Sequence, residues 1–227
     1  MSQLCHVKPK QHILKNQKTI GLLYLSIAII GGFSMGYAPL KLIDIHNPPR
    51  TFLNLQNHFQ IFQLSIFGDG LVVLLELFIT VLLYQFFKNT HGFWNEMAKY
   101  SRLAMAFIMA INLVYYIILL HLINTKFLAN NTFKFCMLAH FYTVYIWQIF
   151  FGIHMIALAI LTNKHPMFYK TLSFLLLLGG VGYLLDCLVH FIGIKNNVLV
   201  SCSNILLGVA AISELSFAIL LLLKKEK

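Results

Sequence analysis

An all-α bundle of six membrane-crossing helices is the fold class this sequence predicts, and three observations predict it. Hydrophobic residues make up 59% of the 227-residue chain and charged residues 11%, whereas soluble domains carry about a quarter charged. Mean hydropathy is +0.77 over the whole length, more than a soluble fold can hide. Finally, the apolar residues fall into six long runs separated by short polar punctuation, each run long enough to cross a hydrocarbon core of about 30 Å.

The runs are roughly Thr19–Ile43, Ile61–Phe87, Ser101–Ile123, Phe135–Leu161, Thr171–Ile194 and Val200–Leu223. Between them stand turn signals such as Pro48-Pro49 within His46–Arg50, Asn130-Asn131, Asn163–Pro166 and Asn196-Asn197. An open sheet is excluded because its edges would be unsatisfied in lipid, and the runs lack the alternation of a barrel. The first run follows Lys8, Lys10, Lys15 and Lys18 as in a signal peptide. It is longer than an h-region and has no clean A-x-A site, so it is read as a retained helix. The expected organisation is a basic segment at 1–18, a six-helix membrane domain at 19–223 and a basic tail at 224–227. Thr51–Gln60 places Phe52, Leu55 and Phe59 on one helical face. It is expected either to lie flat on the outer surface or to extend the second span.

Orientation follows from Lys and Arg. Twelve fall on one side (Lys8, Lys10, Lys15, Lys18, Lys88, Lys99, Arg102, Lys164, Lys170, Lys224, Lys225, Lys227) and five on the other (Lys41, Arg50, Lys126, Lys134, Lys195). The richer side is expected to be cytoplasmic, placing both termini inside a bacterial cytoplasmic membrane. The same dispersed charges account for the net +10 without a nucleic-acid partner, since no groove-reading or base-stacking motif accompanies them. The lipid bilayer is the expected partner. Gly32-x-x-x-Gly36 permits close packing and leaves open a homo-oligomer or a membrane-protein partner. Of Cys5, Cys136, Cys187 and Cys202, only Cys136 and Cys202 are placed where a disulfide could form.

The chemistry is sought among groups that are costly in lipid. Asp69, Glu76, Asp186 and Glu214, four of seven acids, lie within predicted spans, together costing about 10 kcal/mol if charged and unpaired. Counting from the span midpoints puts Asp69 and Asp186 at one level, about 6–8 Å outward. Glu76 and Glu214 share another, about 3 Å inward, and His140 and His190 a third, about 12 Å outward. Asp69 and Glu76, seven apart, share a helix face, and Asp186 and His190, four apart, can touch. The arrangement predicted is a polar interior open outward, lined by the second, fourth, fifth and sixth spans. Asp69 and Asp186 are expected within about 10–12 Å of each other, because packed helices lie 8–10 Å apart. Gly68, Gly70, Gly179, Gly180 and Gly182 would permit close backbone approach there.

Each of these residues also has a plainer reading. The acids can be neutral, hydrogen-bonded packing elements, His154 a bonded core histidine, and His140 and His190 interfacial. Asn112 and Gln148 can bond between helices. A divalent metal held by Asp69, His140, Asp186 and His190 is chemically allowed. It rests on position alone, since no H-E-x-x-H, nucleophile elbow, phosphate loop or dinucleotide fingerprint occurs.

The stretches Ile20–Gly36, Phe67–Leu83 with Gly68-Asp69, Phe151–Leu161, Gly179–Asp186 (GGVGYLLD) and Ser213–Leu223 (SELSFAILLLL) resemble a bacterial multi-pass membrane family catalogued as domain of unknown function 4386, over roughly Lys18 to Lys224. The resemblance extends to Arg102, expected to open the third span, and to Asp69, His154, Asp186 and Glu214. Glu76, His140 and His190 match nothing in it. It implies a multi-pass architecture and no particular activity. The leading expectation is a small ligand, ion or proton bound in a polar intramembrane interior at Asp69, Glu76, His154, Asp186 and Glu214, serving transport or sensing, with no cofactor identified. Its rivals are an intramembrane metal-dependent enzyme and a structural or regulatory subunit.

Overall fold

The computed structural model describes residues 9–125 and 130–223. Cys5, Lys8, Lys126 and the basic tail 224–227 lie outside the described residues. The first span is built from α1 (Pro9–Gly31), a π-helical turn at Gly32–Tyr37 and α2 (Ala38–Leu42). A short helix, α3 (Pro48–Asn57), precedes the second span, α4 (Phe59–Phe86). The remaining spans are α5 (Gly92–Asn124), α6 (Asn130–Lys164), α7 (Lys170–Ile192) and α8 (Asn197–Leu223). Six helical stretches are thus long and apolar enough to cross a bilayer, and an even number returns the chain to the end where it began.

Local chemistry sets the breaks. The Asn47 side chain accepts the Arg50 amide at 3.1 Å, and Pro48 and Pro49 occupy the first turn of α3, the position where a missing N–H costs nothing. The chain then bends at His58, so α3 is a separate helix rather than an extension of the second span. Its apolar face is tucked in: Phe52 and Leu55 are buried, and Phe52 meets Phe133 edge-on at 5.5 Å. α7 ends where Gly193 takes φ +67, a left-handed turn that a side chain would strain.

The spans form a closed ring. α1 packs on α4, α4 on α5, α5 on α6, α6 on α7, α7 on α8, and α8 returns to α1. The closing seam is tight. Gln17 donates to the Leu221 carbonyl at 2.8 Å, Gly21 sits against Ala218 and Leu222, and Tyr24 meets Phe217 at 5.3 Å. This ring corrects the expectation that the second and fifth spans meet through Asp69 and Asp186. Among the described residues α4 and α7 do not touch, because they stand on opposite sides of a six-membered ring. Neighbours 8–10 Å apart put opposite axes roughly 16–20 Å apart.

The glycines divide accordingly. A Cβ on Gly182 would stand 2.6 Å from the Leu206 Cβ and 2.9 Å from its carbonyl carbon, and one on Gly180 would stand 2.8 Å from the Gly152 oxygen. These glycines let α7 approach α8 and α6 as expected. Gly182→Ala should therefore destabilise the bundle by about 1–3 kcal/mol, since backbone must move to admit the methyl; thermal unfolding in detergent reads this. Gly32 and Gly36 behave otherwise: a Cβ on either meets nothing within 4 Å, so that motif makes no close helix contact within the chain. Cys136, Cys187 and Cys202 are free, and the disulfide considered between Cys136 and Cys202 does not form.

Candidate ligand cavity

The ring encloses a cavity of about 1090 Å³, walled by residues of every span. α1 contributes Tyr24 and the π-helical turn contributes Ser34. Asp69 comes from α4, Asn112 and Tyr116 from α5, and His140 and Gln148 from α6. Tyr183 comes from α7 and Glu214 from α8. The expected lining by the second, fourth, fifth and sixth spans is therefore too narrow, because a closed ring turns one face of every helix inward. The cavity reaches the surface beside α3, where Lys41 and Arg50 are exposed and Arg50 lies 3.9 Å from Asp44.

Asp69 is set deep in this wall, 8% exposed, and its Oδ1 has no hydrogen-bond partner. Ser34, wholly buried on the neighbouring π-helical turn, packs on Gly68 beside it and has its hydroxyl within reach of the Asp69 carboxylate. Asn112 is buried with a bare Oδ1. Tyr116, one turn further along α5, stacks on the His140 ring at 3.4 Å. The His140 Nδ1 lies 3.4 Å from the Asn112 carbonyl. A carbonyl can only accept, so Nδ1 carries the hydrogen and Nε2 keeps a free lone pair.

On the side away from α3 the cavity ends at a buried polar cluster. Arg102 is 1% exposed. Its Nε pairs with Glu76 at 2.6 Å, and one terminal nitrogen reaches the Tyr24 hydroxyl and the His154 Nε2, each at 2.8 Å. His154 Nδ1 donates to the Ala98 carbonyl at 2.8 Å, which leaves Nε2 to accept from the arginine and identifies a neutral ring. The guanidinium lies over Tyr24 at 4.9 Å and near Phe151 at 5.6 Å, arrangements that favour a desolvated cation. Beyond this cluster a void of only about 10 Å³ remains, toward Lys99 and Leu161.

Glu214 is half-buried at the cavity wall, within electrostatic reach of Arg102 and Glu76. Among the described residues it makes no ion pair. Glu76 and Glu214, expected at one level, lie within electrostatic reach of each other. Arg102, expected to open the third span, stands ten residues into it, because that span begins at Gly92.

Asp186 stands outside the cavity. Its Oδ1 accepts from Ser203 at 3.3 Å and lies 3.5 Å from His190 Nδ1, the expected neighbour on α7. His190 also donates to the Asp186 carbonyl at 2.8 Å and stacks on Tyr145 at 4.2 Å. The four ligands considered for a metal are thus divided. Asp69 and His140 line the cavity, and Asp186 and His190 satisfy each other elsewhere. Among the described residues no three His, Cys, Asp or Glu side chains are placed to hold a metal. Sequence reasoning missed Ser34, Tyr24, Arg102 and Tyr116 as wall or cluster residues.

These features define a polytopic α-helical membrane protein with a large cavity inside its ring of spans. The chain belongs to the family described as Domain of unknown function (DUF4386), whose model matches residues 19–224. No curated protein and no solved structure matches it.

Proposed function

We propose that this protein binds a small ligand within the ring of spans, as a transporter or a membrane sensor, with both termini cytoplasmic and the α3 end facing out. The observation that supports this reading is the cavity of about 1090 Å³, the size range of sites that take metabolite-sized molecules. On the side away from α3 it ends at the Arg102 cluster. Glu76 and His154 are spoken for by Arg102, and Asp186 by Ser203 and His190. Ligand contact therefore falls to Asp69 and Glu214. The metal-enzyme alternative lacks a gathered ligand set among the described residues.

Gly32→Leu tests the reading, because Gly32 lines the cavity and has open space around its Cβ position. The variant should fold as well as the parent or better, glycine being a poor helix residue by about 0.5–1 kcal/mol. Purified protein in detergent is screened by thermal shift against metabolite-sized compounds. The expected result is stabilisation of the parent by one chemical class and its loss in Gly32→Leu. Equal stabilisation of both proteins would refute the cavity as the site.

A further inference from the structure

We propose that the ligand is an organic ammonium, a protonated amine carried on an apolar or aromatic body, and that its nitrogen is held between Asp69, Ser34 and Asn112. The inference rests on the cavity reading and specifies its chemistry.

The argument begins from what these groups lack. Asp69 Oδ1 and Asn112 Oδ1 are buried in the cavity wall without a hydrogen-bond partner, and Ser34 Oγ, also buried in that wall, has the Asp69 carboxylate within reach of its hydroxyl. Buried polar atoms are rarely left bare in native proteins, and each costs about 1–3 kcal/mol when it is. All three are oxygens able to accept, and His140 Nε2 adds a fourth acceptor on the same wall. Acceptors outnumber donors among these groups, with the Ser34 hydroxyl the one donor, and this calls for a ligand group rich in N–H. An ammonium offers up to three donors and no acceptor.

Charge selects in the same direction. Arg102 is not part of the wall, and the basic residues that are, Lys41 and Arg50, stand near the mouth beside α3. The deep wall therefore holds Asp69 and Glu214 and, among the described residues, is lined by no lysine or arginine, while Arg102 lies within electrostatic reach of Glu214 alone of the two. A bound anion would meet two carboxylates, whereas a cation makes a charge-assisted hydrogen bond to Asp69. The rest of the wall suits an organic body more than a bare ion. Trp147 and Tyr183 bring aromatic rings to the wall, a surface suited to a cation and its substituents. A bare metal ion would leave most of a cavity this size unfilled.

The test uses the purified full chain in detergent and matched compounds sharing one body: 2-phenylethylammonium, 2-phenylethanol and phenylacetate, with tryptammonium, tryptophol and indoleacetate as a second trio. Binding is read by thermal shift and by calorimetry at millimolar concentration, alongside sodium chloride alone. The expected result is that the ammonium members stabilise the protein, binding about tenfold or more tighter than their alcohols, and that phenylacetate and indoleacetate do not bind. Asp69→Asn should weaken ammonium binding by about tenfold or more and leave alcohol binding unchanged. Asp186→Asn, outside the cavity, should alter neither.

If alcohols bind as well as ammoniums and both are lost in Gly32→Leu, the cavity reading stands and the ammonium assignment falls. The assignment also falls if sodium alone reproduces the stabilisation, or if Asp69→Asn leaves ammonium affinity intact. If no member of either trio binds the parent protein, the ammonium assignment is overturned, whatever the wider metabolite screen returns.

Discussion

Replacing Arg102 with leucine is expected to lower the unfolding free energy by about 3–5 kcal/mol, the usual penalty for removing one partner of a buried ion pair. The substitution strands Glu76 in the protein interior and withdraws the donor that serves both the Tyr24 hydroxyl and His154 Nε2. Glu214 cannot relieve it, being a second acid within electrostatic reach of Glu76. The size of the effect comes from the charge left behind rather than from the net worth of the pair. The double variant Arg102→Leu with Glu76→Leu should therefore be more stable than Arg102→Leu alone. Unfolding in detergent micelles measures all three proteins. A double variant as unstable as the single one would show that the cluster contributes through packing, not through charge.

Asp69→Asn is expected to move stability the opposite way. Its carboxylate has a bare oxygen in a membrane protein's interior, and a charge held mid-span costs about 2.5–3.5 kcal/mol on insertion scales. An amide removes the charge without changing shape, so melting temperature should hold or rise. Asp186→Asn should instead lower it, since the Asp186 carboxylate already serves Ser203 and His190 and charge-assisted bonds weaken by about half when the charge goes. The sequence suggests that these two aspartates are alike. Opposite signs in one thermal scan would show they are not, and a large drop for Asp69→Asn would mean that Asp69 has an essential structural partner.

How far the sequence could see is clear from particular residues. The six spans follow from apolar run length, and the Asp186–His190 contact from a spacing of four. The nearness of Glu76 and Glu214 is what counting along helices suggests. What failed was anything depending on the order of helices around the ring. Depth places Asp69 and Asp186 side by side only if the second and fifth spans are neighbours, and a chain alone does not say how a ring closes. Arg102 was hidden by a boundary, because hydropathy falls at Gly92–Tyr100 and invites a loop. Yet Asn95, Ala98, Arg102, Met105, Met109, Asn112 and Tyr116 recur at intervals of three and four, the mark of one buried helix face. All seven are buried along α5. The arginine lay on the same stripe as Asn112, and that periodicity was the available signal.

The seam between α1 and α8 bears on how the molecule is made. A chain inserted from its amino end lays down five spans before the partner of Gly21 and Tyr24 exists. Without α8 the ring of spans has no contact closing α7 back to α1. Glu214, Phe217 and the Leu221 carbonyl arrive together on that last helix. They complete the cavity wall and lock the seam in one step. Docking of the last helix thus completes the cavity wall and the seam together.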